Sequence, residues 1–348
     1  MSWPTFWEQK KWQSYLLLPL SKLVCWEARR RYNAFENSPK QTSATVIVVG
    51  NVVVGGTGKT PFIIWLSKQL KAQGYRVGII SRGYGVKVPK PIMVDEHTTS
   101  KECGDEPLML FKQTACPVVV SPKRTDALAT LTKHKKVDFV ISDDGLQHYA
   151  LARDIEIVLI DSERQFGNGL CLPSGPLRES IERIADVDFT VWNGLTEGQE
   201  PPVLEVEQKS AQAMQLNPVK FCQVGNPEIV MSMDEFKERY SSTELQAVAG
   251  IGNPQRFFDT LSQLGFITDN KPFPDHHAFS PQDFDTSGND NQSNRDSNKL
   301  KPVVMTEKDA VKCLPFAKSQ PHWWYLQVEA CSDAAIVEAV VTQHLTQR

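Results

Sequence analysis

The stretch Gly50-Asn51-Val52-Val53-Val54-Gly55-Gly56-Thr57-Gly58-Lys59-Thr60 combines the side chains that grip a polyphosphate. Glycines at 55, 56 and 58 let backbone N–H groups turn inward around phosphate oxygens, and a helix starting at Lys59 adds the positive end of its dipole. Lys59 is then placed to reach the β and γ phosphates of ATP, and Thr60 to ligate Mg²⁺. The flanks agree. Thr45–Val49 is an unbroken β-branched run expected to be a buried strand, and a helical pattern runs from about Lys59 to Ala72, closed by Gly74. The spacing departs from the strict P-loop, which wants Gly where this chain has Val53. It is nearer the variant loop of the deviant P-loop ATPases, although Val54 replaces their signature lysine.

A second run, Val137–Ile141, leads into Ser142-Asp143-Asp144-Gly145. Carboxylates at the end of a buried strand complement such a loop, because Mg²⁺ needs a carboxylate held directly or through water. Alone, Asp-Asp-Gly reads as a turn. Beside a phosphate cradle it reads as the metal side of one nucleotide site.

These motifs need a scaffold. From Ala44 onward, apolar runs alternate with helical patterns: strands at Tyr75–Ile80, Pro117–Val120 and Ile155–Ile160, and helices at Pro107–Gln113 and Arg124–His134. Strands alternating with helices predict an α/β fold, a parallel sheet covered on both faces. A shift to Gly, Glu, Gln and Pro at Gly194–Pro202 suggests a boundary. A second α/β series follows, with strands at Gln246–Ala249, Val303–Met305 and Trp323–Val328, and helices at Pro254–Leu264 and Asp333–Leu345. Asp285–Asn298 has no apolar residue and reads as a mobile polar insertion. The expected organisation is an N-terminal helical segment at 1–40, a P-loop core at 41–200 and a smaller α/β domain at 201–348.

The 348 residues suffice for two cores, and 41% hydrophobic with 23% charged residues describes a globular chain. A net charge of −3 gives no reason to expect nucleic acid. The charge is uneven, however. Residues 1–42 carry seven Lys/Arg against three Glu, a net of +4 against −7 for the rest. In that basic segment Trp12, Leu16, Leu20, Leu23 and Trp26 recur at helical spacing, flanked by Lys10, Lys11, Lys22 and Arg29–Arg31. The stretch is too short and interrupted to span a bilayer or serve as a signal peptide. The pattern fits an amphipathic helix on an anionic membrane, and equally a helix docked on the protein's own core. The seven cysteines are odd in number, scattered and never Cys-x-x-Cys, so unpaired thiols in a reducing compartment are expected.

Several further segments, together with the cradle, resemble the tetraacyldisaccharide 4′-kinases. The family's Gly-Asn-x-x-x-Gly-Gly-x-Gly-Lys-Thr-Pro is found at Gly50–Pro61, Ser-Arg-Gly-Tyr-Gly at Ser81–Gly85 and Gly-Asp-Glu-Pro at Gly104–Pro107. Asp-Asp-Gly-x-Gln-His follows at Asp143–His148, and Leu-Pro-x-Gly-Pro-Leu-Arg-Glu at Leu172–Glu179. Gly-Ile-Gly-Asn-Pro stands at Gly250–Pro254, Phe-x-Asp-His at Phe273–His276 and Thr-Glu-Lys-Asp at Thr306–Asp309. The motifs run in family order over nearly the whole chain.

The resemblance implies two α/β/α domains facing a cleft, and transfer of the ATP γ-phosphate to the 4′-hydroxyl of a lipid-linked glucosamine disaccharide 1-phosphate. It implies a peripheral protein on the cytoplasmic side of the bacterial inner membrane, with no obligate protein partner evident. By the motif match Asp105 is the base and His276 its hydrogen-bonded partner. Glu106, Asp143 and Asp144 join Thr60 as candidates for the Mg²⁺ shell, and Arg82, Arg124 and Arg178 are candidate phosphate contacts. Without the resemblance, Asp105 reads as a helix cap, His276 as a loop residue and Arg178 as a surface charge. The rival function is a membrane-surface P-loop ATPase switch with no lipid acceptor.

Overall fold

The structure, a computed structural model, describes residues 3–35, 41–195, 199–275, 277–284 and 301–346. The polar insertion at 285–298 and His276 lie outside the described residues. The chain divides into two compact units, one formed by Trp3–Leu216 with Ala330–Arg348 and the other by Asn217–Glu329.

The larger unit carries strands β1 (Thr45–Gly50), β2 (Val77–Ser81), β3 (Ile92–Met93), β4 (Val118–Val120), β5 (Phe139–Asp143), β6 (Ile155–Asp161) and β7 (Phe189–Asn193), and the start of β8 (Ala211–Gln223). Their order is β3-β4-β2-β5-β1-β6-β7-β8, all parallel through β4 to β8 except for the antiparallel edge β3. Its helices are α1 (Thr5–Glu8), α2 (Trp12–Phe35), α3 (Lys59–Ala72), α4 (Ser100–Cys103), α5 (Asp105–Thr114) and α6 (Arg124–His134), with a C-terminal helix Ala334–Thr346. Alternate residues of β1 serve opposite faces, as the period of two dictates. Val46 and Val48 pack with Ala127, Leu128 and Leu131 of α6, whereas the Thr45 hydroxyl meets His344 Nδ1 of the C-terminal helix at 2.6 Å. Fully buried on both faces, the strand has to be a continuous apolar run, which is why it was legible.

The smaller unit holds β9 (Val230–Ser232), α7 (Met233–Tyr240), β10 (Leu245–Ala249), α8 (Pro254–Gln263), β11 (Thr268–Pro272), β12 (Val303–Thr306), α9 (Glu307–Ala317) and most of β13 (Trp323–Ser332). The parallel order is β11-β10-β12-β13. Here Thr306-Glu307-Lys308-Asp309 has a structural use. Thr306 caps α9 by accepting from the Asp309 amide, and the buried Asp309 carboxylate accepts from Thr306 Oγ1 at 2.6 Å and from the Gly250 amide at 2.8 Å.

Four expectations change. The boundary expected near residue 200 falls at Leu216, and the closing helix, expected in the second domain, belongs to the larger unit, where His344 also packs on Phe139. The N-terminal segment from Trp3 on is part of that unit too. Finally, Cys25 and Cys171 form a disulfide in place of two thiols, and partners 146 positions apart leave no spacing signature to read.

The helix α2 is turned inside out. Its buried residues are Ser14 and Ser21, two turns apart, and Ser21 Oγ donates to the Cys171 carbonyl at 2.8 Å. Trp12 (69% exposed), Leu16 (70%), Leu20 (54%), Leu23 (59%) and Trp26 (61%) face away from the protein. The apolar stripe is therefore not a core contact. At the end of the helix, Tyr32 and Phe35 lie on Tyr149, with the Arg183 and Arg153 guanidiniums over their rings. No helix among the described residues is long and apolar enough to cross a membrane.

Candidate active site

The site grows from the pairing of β1 with β5. Their register sets Val49 beside Asp143, so the loop leaving β1 and the acidic turn leaving β5 emerge together. Such a position, beyond the carboxyl ends of parallel strands, is where α/β sheets bind ligands. The cradle residues Gly55, Gly56, Thr57 and Gly58 follow, and Lys59 and Thr60 open α3. Gly58 sits at φ 88°, and a Cβ there would collide with the Asn193 side chain, so two separate constraints demand glycine.

Val53, where the strict motif has glycine, forms an antiparallel bridge with Leu177, and the Val54 amide donates to the Pro176 carbonyl at 2.9 Å. The Arg178 amide donates to the Val52 carbonyl at 2.7 Å. The segment Pro176–Arg178 thus lines the entrance of the cradle. Loop carbonyls are held from outside: Asn51 Nδ2 donates to the Gly55 carbonyl at 3.2 Å, and Asn193 Nδ2, at the end of β7, to the Thr57 carbonyl at 3.1 Å.

On the acidic side the two aspartates differ. Asp143 is buried and accepts from Ser81 Oγ at 3.0 Å, while its Oδ1 is buried with no hydrogen-bond partner among the described residues. Its carboxyl is pushed above the usual range, by burial first and then by the charges of Glu106 and Asp144. Asp144, at φ 46°, lies 3.5 Å from Lys59 Nζ and takes both its oxygens to Arg178 Nη1 at 3.0 Å. Burial alone would raise it, but Lys59 and Arg178 outweigh burial and hold it well below the carboxylate range. Among the described residues no three His, Cys, Asp or Glu converge as a self-sufficient metal site. Mg²⁺ in a phosphoryl-transfer site needs fewer, because phosphate oxygens and water complete its shell. The orphaned Asp143 oxygen, with its crowded negative charge, fits that cation.

The structure brings Lys59, Asp143, Asp144 and Arg178 together and places Glu106 close enough to be felt at Asp143. Asp105 and Glu106 open α5 directly after Gly104, which is the cap position, so Asp105 is not the helix cap. Gly104 at φ 93° lies against the Gly83–Tyr84 backbone, which places Gly104 of the Gly-Asp-Glu-Pro segment beside the Ser-Arg-Gly-Tyr-Gly loop. Arg82 is exposed, and its charge helps to lower the pKa of Arg124 and His148.

Arg124, the third candidate phosphate contact, sits deeper than Arg82 and Arg178. It is buried, with Nη2 donating to the Asp143 carbonyl at 2.7 Å and Nη1 to that of Ser121 at 3.4 Å, and burial lowers its pKa to about 10. Two nitrogens of its fork hold the backbone that aims the aspartates, while Nε is buried with no hydrogen-bond partner among the described residues. Sequence reasoning missed Ser81, Asn193 and Gln147, which donates to the Asn51 carbonyl at 3.2 Å. Ser81 and Gln147 stand inside the quoted motifs, so their positions were a signal. Asn193 had none, because β7 itself was not foreseen.

The family model of tetraacyldisaccharide-1-P 4′-kinase (LpxK) matches residues 13–346. The tetraacyldisaccharide 4′-kinase of Hydrogenovibrio crunogenus is 49% identical over 335 residues, covering 94% of this chain and 93% of that protein. That of Methylobacillus flagellatus is 43% identical over 333 residues, with 95% and 89% covered. A crystal structure of LpxK from Aquifex aeolicus in complex with ATP matches with a TM-score of 0.74 at 26% identity, covering 95% of this chain and 99% of that one.

Proposed function

Since this chain belongs to the tetraacyldisaccharide 4′-kinase family and is an ATP-dependent kinase of the lipid A disaccharide precursor, we propose that it works as a peripheral protein on the cytoplasmic face of the bacterial inner membrane. The reaction moves the γ-phosphate of ATP to the 4′-hydroxyl of the tetraacylated disaccharide 1-phosphate. A nucleotide switch without a lipid acceptor falls with that membership. The observation that carries the membrane reading is the outward stripe of α2, in which Trp12, Leu16, Leu20, Leu23 and Trp26 lie exposed between basic flanks. An acyl-chain acceptor resides in a bilayer, so a kinase that docks there meets it at high local concentration.

In this reading the amides of Gly55–Gly58 cradle the phosphates and Lys59 spreads its charge over the β and γ oxygens. Thr60, Asp143 and Glu106 would hold Mg²⁺, with Asp144 beside them tethered by Arg178. When bound, the cation would supply positive charge against the charge that develops on the phosphate oxygens. Arg124 positions rather than binds. Asp105 takes the proton of the attacking hydroxyl, a step that gains from a base within hydrogen-bond reach, and His276 tunes it. What supports these two roles is the match of Gly104–Pro107 and Phe273–His276 to the family motifs.

Mass spectrometry of the disaccharide acceptor tests the proposal when the acceptor is offered either in anionic phospholipid vesicles or in detergent micelles. A phosphorylated product forms in both, and removing the stripe slows the vesicle reaction alone. Equal slowing in both settings would remove the membrane docking.

A further inference from the structure

The outer face of the phosphate cradle is gripped by two residues that no motif contains. Trp3, ahead of α1, donates its indole Nε1–H to the Val54 carbonyl at 3.3 Å. Arg164, in the turn after β6, donates Nη2 to the Gly56 carbonyl. Its guanidinium also lies 5.1 Å from the centroid of the Trp3 ring, within the range of a cation–π contact. We propose that Trp3 and Arg164 are positioning residues of the kinase reaction, an N-terminal clamp that aims the cradle amides at the nucleotide phosphates.

The reason is the geometry of the peptide. In a planar trans peptide the C=O of one residue and the N–H of the next point in opposite directions. Holding the Val54 carbonyl outward aims the Gly55 amide the other way, and holding the Gly56 carbonyl aims the Thr57 amide. Asn51 and Asn193 do the same for the Gly55 and Thr57 carbonyls, which aims the Gly56 and Gly58 amides. Four successive carbonyls, Val54 to Thr57, are therefore pinned by four side chains. Two pins come from the cradle's own strand neighbourhood, and the other two from Trp3 and Arg164. A Gly-rich loop is otherwise the most conformationally free part of a chain, so pinning removes freedom that nucleotide binding would have to freeze.

Both pins are themselves fixed. Arg164 stands 3.7 Å from the buried Asp161 carboxylate at the end of β6, whose Oδ1 also accepts from the Arg164 amide at 2.9 Å. Trp3 contacts Trp7 edge-on, and Trp7 Nε1 donates to the Pro173 carbonyl at 3.0 Å. The Asn168 amide donates to the Trp7 carbonyl, and Asn168 Nδ2 to that of Phe6, both at 2.7 Å. The arm carrying Trp3 is sewn to the body of its own unit before α2 begins.

The test is steady-state kinetics on the full chain with Trp3→Phe, Trp3→Ala, Arg164→Lys and Arg164→Ala. Trp3→Phe keeps an aromatic ring and loses only the donor. It should raise the KM for ATP by about five-fold, the scale of one ordinary hydrogen bond. The acceptor KM should not move, and the nucleotide-free Tm should stay level while the Tm gain on adding ATP shrinks. Arg164→Lys, which retains a donor, should recover most of what Arg164→Ala loses. The inference is overturned if Trp3→Phe and Arg164→Ala leave the ATP KM unchanged. It is equally overturned if both substrates suffer alike with a lowered nucleotide-free Tm, since that is the mark of a fold contact only.

Discussion

Replacing Leu16 and Leu20 by Gln isolates the apolar stripe of α2 without adding charge or breaking the helix. Leu16 is 70% and Leu20 54% exposed, so their removal leaves no cavity and stability should change little. Full burial of a Leu side chain contributes about 1.5–3 kcal/mol, and scaling by the exposed fractions leaves roughly 1–2 kcal/mol for each residue at an interface. Together the pair should weaken membrane partitioning by roughly 2–4 kcal/mol, about 30-fold to nearly 1,000-fold in lipid concentration. The assay is flotation with vesicles rich in anionic phospholipid, read as the lipid concentration that carries half of the protein. Turnover on micellar acceptor should stay close to that of the native chain. A double variant that floats as readily as the native protein would show that the stripe is not what meets the bilayer.

Lys59→Ala should remove most phosphorylation of the acceptor, measured by product formation, because charge on the γ-phosphate goes unanswered and Asp144 loses a cation 3.5 Å away. Asp105→Ala and His276→Ala should each slow the chemical step by roughly two to four orders of magnitude, and the double variant little more than the worse single one, in single-turnover assays. Arg124→Met should leave buried carbonyls unpaired at a cost of about 1–3 kcal/mol in urea unfolding, and should raise the Mg²⁺ needed for half-maximal rate. His148, brought down from 6.5 to about 4 by burial and then by the charge of Arg124, stays neutral in the fold while the unfolded chain takes up its proton. Its stabilisation is therefore complete above pH 6.5 and fades as pH falls toward 4, so His148→Gln should flatten Tm against pH across that window.

What could be read from the chain follows burial. β1 and α3 appear where expected because β1 is buried on both faces and α3 has a cradle at its start and Gly74 at its end. β8 was not foreseen, for the opposite reason: the strand is only half-buried, contains Pro218 and several polar residues, and its first residues pair with β7. The outward face of α2 could not be read at all. Helical periodicity shows that a stripe exists, and only the burial of Ser14 and Ser21 shows that the stripe is not the docked side. The surroundings of Arg124 were equally out of reach. An arginine at a helix start beside an acidic turn has phosphate-binding chemistry, and three-dimensional burial redirected it to main-chain carbonyls.

The departure at Val53 also finds its physical reason in the fold. A glycine there would serve a loop free to wrap by itself. Here Val53 makes an isolated bridge with Leu177 and the Val54 amide donates to Pro176, so the cradle begins only at Gly55. A buried residue in a β-bridge is better served by a β-branched side chain, and Val53 is 3% exposed within the same apolar cluster as Leu177. The segment Leu172–Glu179 therefore has a task that its sequence does not announce. Through Pro176 and Leu177 it extends the pairing of the cradle strand, and through Arg178 it tethers Asp144. One stretch thereby fixes both the loop that faces the phosphates and the carboxylate across from it. The relative placement of Lys59 and Asp144 is thus determined twice, by the register of β1 with β5 and by this segment.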